Sequence, residues 1–143
     1  MKDWTTIRER YMRDDVAVRL GGLAANLQRV KSFCERDANR ELVEGLIDES
    51  KFFIEWTASE AAIEVASELV ELQVQLACWQ RQWGSIWADA ERRRGVAQQS
   101  SAWSERVLNL SGLLERRFSA EHVCYGYIGG GIVPSATIVR EIL

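Results

Sequence analysis

The most constraining feature of this sequence is a run of apolar residues at alternating spacings of four and three. A heptad pattern of this kind is typical of a helix that packs one side against another helix. Because the pattern continues through several heptads without an interruption, it predicts an unusually long helix. The apolar positions are Ala58, Ala62, Val65, Leu69, Leu72, Leu76, Trp79, Trp83, Ile86 and Ala90.

The flanking residues predict where this helix begins and ends. Thr57 and Glu60 have the spacing of a capping box, with Thr57 as the N-cap, although a helix that continues through Thr57 is an open alternative. The arginines at 92–94 suit the negative end of a helix dipole, and Gly95 suits a C-terminal cap. The predicted helix therefore spans residues 58–93.

A second apolar stripe runs along the first half of the same helix. It lies beside the first stripe on the helix surface, so this half is predicted to be packed on more than one side. The stripe consists of Ile63, Ala66, Val70, Val74 and Ala77.

Three further helices have the same four-three spacing or a broad apolar face. They are predicted at about 14–36, 40–56 and 100–118. Gly21 and Gly22 lie inside the first of these, which indicates either a closely approaching backbone or a kink. The only proline in the 143 residues is Pro134, and helices are therefore unbroken by proline before the C-terminus.

These patterns predict an all-α, single-domain protein. The expected architecture is an antiparallel, four-helix-bundle-like domain with one long central helix. Residues 122–143 have a different composition, with β-formers on either side of a glycine run at 129–131, and are predicted to form a short extended C-terminal arm. This arm is expected to lie against the bundle or against a partner.

Composition restricts the setting in which the protein works. The formal net charge is −3 and both signs are well mixed, so the chain has no overall field that would attract nucleic acid or anionic lipid. Glu64, Glu68 and Glu71 interrupt the most apolar run, which predicts no membrane span. The N-terminus lacks the apolar core of a secretory signal, and the three cysteines are odd in number and widely spaced. A cytoplasmic location with reduced thiols is expected.

One enzymatic hypothesis comes from the acidic residues. Carboxylates one turn apart on facing helices can hold Mg²⁺ or Mn²⁺, as in all-helical enzymes that cleave nucleotides. Acidic residues at this spacing also form the ordinary solvent side of an amphipathic helix, and on that interpretation no cofactor is bound. The candidate ligands are Glu41, Glu44, Asp48, Glu64 and Glu68.

A nucleic-acid hypothesis comes from the arginines. Arg81, Arg92, Arg93 and Arg94 could contact phosphates, with neighbouring tryptophans stacking on bases. Their predicted place at a helix C-terminus offers a simpler explanation, since the helix dipole favours positive charge there. Nucleic acid is therefore a less favoured partner.

The tryptophans provide the leading functional hypothesis. Trp79, Trp83 and Trp87 lie at intervals of four, and a turn near Gly95 would place Trp103 opposite the last two. They form either an aromatic core layer or anchors for a partner. We favour a non-enzymatic, cytoplasmic interaction or regulatory module that forms a homodimer or binds another protein. Its surface would be the aromatic side of the long helix or the C-terminal arm, where Tyr125 and Tyr127 lie.

Overall fold

The fold was analysed in a computed structural model, which describes residues 2–36 and 39–114. Those residues form helices joined by short turns, so the predicted all-helical class is confirmed. The predicted arm at 122–143, including Tyr125 and Tyr127, lies outside the described residues. The helices are α1 (Trp4–Met12), α2 (Val16–Glu35), α3 (Arg40–Ala58), α4 (Ile63–Arg81), α5 (Trp83–Ala88) and α6 (Ala90–Ser111).

Short polar side chains begin four of these helices. Asp3, Asp15, Asn39 and Asp89 each occupy the N-cap, and each side chain accepts a hydrogen bond from a backbone N–H in the first turn. The caps at Asp15 and Asn39 explain why α2 and α3 begin close to the predicted positions.

The predicted long helix at 58–93 is wrong, because this stretch forms α4, α5 and the start of α6. Its supposed capping box does not form: Thr57 is buried inside α3, and its hydroxyl donates to the hydroxyl of Tyr11 at 3.3 Å. Glu60 lies in the turn after α3, where its carboxylate forms a salt bridge with Arg19 of α2. Tertiary partners thus occupy both side chains, and α3 continues to Ala58 before the chain turns.

Asp89 causes the last break in the predicted helix. Its carboxylate accepts from the backbone N–H of Glu91 at 3.0 Å and of Arg92 at 3.3 Å, which starts α6 ten residues earlier than the sequence pattern suggested. Gly95 consequently lies within α6 and not at a helix end. The cap at the end of α6 is Gly112, whose φ of 73° suits glycine, so this helix also ends before the predicted residue 118.

In the described part of the chain, α3 and α6 pack on either side of α2. Asn26 of α2 donates to Glu49 of α3 at 3.4 Å, and the hydroxyl of Ser104 in α6 donates to the carbonyl of Ala24 at 2.8 Å. On the far side of α3, the amide of Gln80 in α4 donates to Asp48 at 2.6 Å. The order across the molecule is therefore α6, α2, α3, α4, and α5 connects α4 back to α6.

Gly21 allows a close approach, as its sequence position suggested. A Cβ atom at this position would lie 2.8 Å from Cδ1 of Leu113, which follows the α6 cap. The approaching group is thus a side chain and not a backbone. Gly22 faces the ring of Tyr11 at a more ordinary distance of 3.7 Å.

Tyr11 is the centre of a buried polar network that ties α1 to α2 and α3. Its hydroxyl donates to the carbonyl of Arg19 at 2.8 Å and accepts from Thr57, while its ring stacks on Phe53 with centroids 3.9 Å apart. Arg19 is itself buried, and its Nε donates to the carbonyl of Asp14 at 2.8 Å. These bonds satisfy groups that would be costly to leave unpaired in the core.

The two glycines of α6 provide a matched pair of substitutions. Gly95→Ala should raise the free energy of unfolding by about 0.5–1 kcal/mol, because a Cβ there would contact nothing within 4 Å and alanine is the better helix former. Gly112→Ala should lower it by about 1 kcal/mol, because its positive φ disfavours any side chain. Urea unfolding of both variants measures the difference, and equal effects would contradict these helix boundaries.

Burial raises the pKa of the Tyr11 hydroxyl to about 12, so its titration should reduce stability at high pH. The folded-state pKa lies above the unfolded value of about 10. The stability that the protonated Tyr11 hydroxyl contributes is therefore fully present below pH 10 and is lost as the pH rises through about 12. Between those pH values, the free energy of unfolding of the wild type should fall by up to about 1.4 kcal/mol per pH unit relative to that of Tyr11→Phe. Urea unfolding of both proteins at several pH values tests this, and parallel curves would show that Tyr11 titrates normally.

Candidate interaction surface

The outward side of α4 presents an apolar stripe to solvent in the described part of the chain. Ile63 is 78% exposed, Val70 57% and Val74 59%, and Ala77 is also exposed. On the opposite side of the same helix, Leu69, Leu72 and Leu76 are fully buried in the core. We refer to the outward side as the α4 face, which consists of Ile63, Ser67, Val70, Val74, Ala77 and Arg81.

The structure corrects the expectation that this second stripe is packed inside the protein. The stripe was visible in the sequence, but its periodicity could not show that α4 lies at the edge of the described helices, beyond α3. An apolar stripe exposed along most of a helix is unusual for a surface that remains in water. The α4 face is therefore the strongest candidate for a binding surface.

Charged residues flank the α4 face on both sides. On one side, Glu71 lies 3.9 Å from Nη2 of Arg106 in α6, and Glu68 forms a closer salt bridge with the same guanidinium. On the other side, Gln73 donates to Glu55 of α3 at 3.4 Å. These contacts connect α4 to α6 on one side of the face and to α3 on the other.

The acidic residues proposed as metal ligands do not converge. Asp48 contacts Gln80 near the end of α4, whereas Glu68 lies twelve residues earlier on that helix, about 18 Å away along its axis, and faces α6. Glu41 and Glu64 are exposed in the first turns of α3 and α4. No group of three or more metal-binding side chains is found within residues 2–36 and 39–114, and Glu44 has no such companions there.

Arg92, Arg93 and Arg94 lie at the start of a helix and not at its end as predicted, whereas Arg81 is the last residue of α4. Because α6 begins at Ala90, residues 92–94 occupy its first turns, where the helix dipole does not favour positive charge. Arg92 instead donates to Gln82 at 2.7 Å, and Arg93 lies over the ring of Trp87, 5.3 Å from its centroid. These two contacts link α6 to Gln82, which precedes α5, and to Trp87 within α5. Arg81, Arg92 and Arg94 are exposed.

The structure also corrects the interpretation of the tryptophans as a free aromatic surface. Trp79 is only 5% exposed and Trp83 only 2%, and the indole N–H of Trp83 donates to the carbonyl of Arg40 at 3.4 Å. Trp87 is half-buried against Trp83, at a centroid distance of 5.8 Å. The first two are core residues and could reach a partner only if the domain opened.

Trp103 is half-buried and does not meet Trp83 and Trp87. The chain reverses at residues 82–89 instead of near Gly95, so Trp103 lies farther along the helix pair and packs beneath Arg106, 4.8 Å from the guanidinium carbon. It lines an open cleft of about 200 Å³ between α4 and α6, which adjoins a second cleft of about 290 Å³ over Trp79. Glutamine side chains line both clefts.

Comparison with known proteins offers no family assignment. No protein-family model matches the chain, and searches of curated proteins and of solved structures found no match. Among the helices that the structure describes, none is long and apolar enough to cross a lipid bilayer. The function must therefore be argued from the surface itself.

Burial predicts a clear difference between two of the tryptophans. Trp83→Ala should reduce the free energy of unfolding by about 3–5 kcal/mol, because it removes a fully packed core side chain. Trp87→Ala should cost less, because that side chain is only half-buried, and should leave any self-association unchanged. Urea unfolding and sedimentation velocity test both points. A loss of association in Trp87→Ala would restore the aromatic-surface hypothesis.

Proposed function

We propose that this protein is a non-enzymatic helical interaction module that associates with a second copy of itself through the α4 face. The observation that supports the proposal is the exposure of Ile63, Val70 and Val74 on a helix whose other side is firmly packed in the core. A helix with apolar residues on two sides can be held in its own domain by one side while the other side remains available to bind a partner.

We propose an architecture that extends beyond the contacts described above. In it, α2, α3, α4 and α6 are the four antiparallel helices of one bundle-like domain, and residues 122–143 form an arm beside it. Two pairs of contacts support the antiparallel order. Arg19 and Asn26 of α2 contact Glu60 and Glu49, and Gln73 and Gln80 of α4 contact Glu55 and Asp48, so the numbers rise on one side as they fall on the other. The proposed cytoplasmic location rests on the sequence and is consistent with the free thiols of Cys34 and Cys78.

The size of the α4 face suggests reversible association. Three partly exposed aliphatic side chains from each copy would contribute on the order of 6–10 kcal/mol when buried, before the cost of bringing two molecules together. That cost is about 4–15 kcal/mol, so the gain and the cost are of similar size. A complex formed through this face should therefore be weak and depend on protein concentration, unlike an obligate dimer.

Two glutamates placed in the stripe test this function. The double variant Val70→Glu and Val74→Glu should abolish self-association in sedimentation velocity, because each carboxylate would have to be desolvated at the interface. Its melting temperature should remain within a few degrees of the wild type, since both positions are already exposed.

Leu42→Glu is the matched control. Leu42 is also an exposed apolar residue, at 48%, but it lies on α3, so this variant should associate as the wild type does. A wild-type chain that stays monomeric up to about 100 μM would overturn the proposal, since the affinity would then be too weak for a specific interface. A double variant that associates normally would do the same.

A further inference from the structure

The α4 face has a pattern that is complementary to itself. Its positions follow the four-three alternation of a helix–helix seam, with Val70 and Val74 at the middle and the small residues Ser67 and Ala77 on either side. Small side chains flanking a central layer allow two helix backbones to approach closely. Because its four central positions have nearly the same profile in either direction, the stripe can pair with a reversed copy of itself.

We propose that two copies pair through α4 in an antiparallel arrangement, with a two-fold axis between Val70 and Val74. This inference rests on the proposed self-association and adds its geometry and register. Val70 of each copy then packs against Val74 of the other, and Ser67 of each copy lies opposite Ala77 of the other. Association in this register joins the apolar stripes over the 19 residues of α4, about 28 Å of helix.

Charge at the two ends of α4 favours this direction. Glu64 is in the first turn and Arg81 is the last residue, and both are exposed. In the antiparallel pair the stem of Arg81 covers Ile63 of the second copy, and its guanidinium reaches Glu64 there. A parallel pair would align each of these charges with its own kind and would also align the two helix dipoles unfavourably.

The remaining charges beside the stripe are compatible with this pairing. Glu71 lies near the proposed axis in both copies, where two carboxylates would repel each other. Arg106 is 48% exposed and within 3.9 Å of Glu71 in its own chain, so each carboxylate has a compensating positive charge. On the α3 side, Asp48 and Glu55 already accept hydrogen bonds from Gln80 and Gln73.

Disulfide trapping in the full-length chain distinguishes the two directions. In a background with Cys78→Ser and Cys124→Ser, one preparation carries S67C and a second, tagged preparation carries A77C. The antiparallel register places these two positions in one layer, within the Cα separation that a disulfide requires. Two S67C positions would be displaced by ten residues, about 15 Å along the helices.

Mild oxidation of the mixture should therefore produce a linked dimer that contains one copy of each preparation, and linkage should be lost when either preparation is oxidised alone. Linkage within S67C alone, equal to that in the mixture, would indicate a parallel pair and overturn the inference. Sedimentation of the same samples before oxidation keeps the two proposals apart. A dimer that does not cross-link in the mixture overturns only the register, whereas a monomer overturns self-association as well.

Discussion

The close approach of α2 and α6 is the constraint on which the rest of the fold depends. Small residues on both helices make it possible: Ala24 lies opposite Ser104, and Ser100 is completely buried nearby. The hydroxyl of Ser104 donates to the carbonyl of Ala24, so its burial is compensated without a large side chain. Because these two helices form the most extensive pair, α2 becomes the centre and α3 occupies its remaining side.

This arrangement leaves α4 at the edge. It packs on α3 and contacts α6 through the salt bridge between Glu68 and Arg106, beside the open cleft that Trp103 lines. The leucines at 69, 72 and 76 point to the core, and nothing within the described residues covers the opposite face. The exposed stripe is thus a consequence of the order of packing and not of a weak or poorly formed helix.

Sequence periodicity predicted which residues are buried more reliably than where helices end. Trp79, Trp83 and Ile86 are all in the core, as their spacing indicated, although the chain breaks at Gln82 and again at Asp89. The pattern continues across the breaks because each short helix still needs a residue directed to the same core. The N-cap potential of Asp89 was the available signal for the second break.

The candidate surface was predictable only in part. The stripe containing Val70 and Val74 could be read from the sequence, but an apolar face does not specify whether its own chain or another molecule covers it. The capping box at Thr57 and Glu60 failed for a similar reason, because Tyr11 and Arg19 are distant in sequence and their competition for these side chains exists only in the folded chain.

The central claim is that the α4 face becomes buried when two copies meet, and methyl NMR of valine-labelled protein over a dilution series tests it most directly. We expect the resonances of Val70 and Val74 to move with concentration, while those of Val43 and Val107, which are buried inside the domain, stay fixed. Resonances of Val70 and Val74 that do not change at any concentration, or changes confined to the buried valines, would contradict the account.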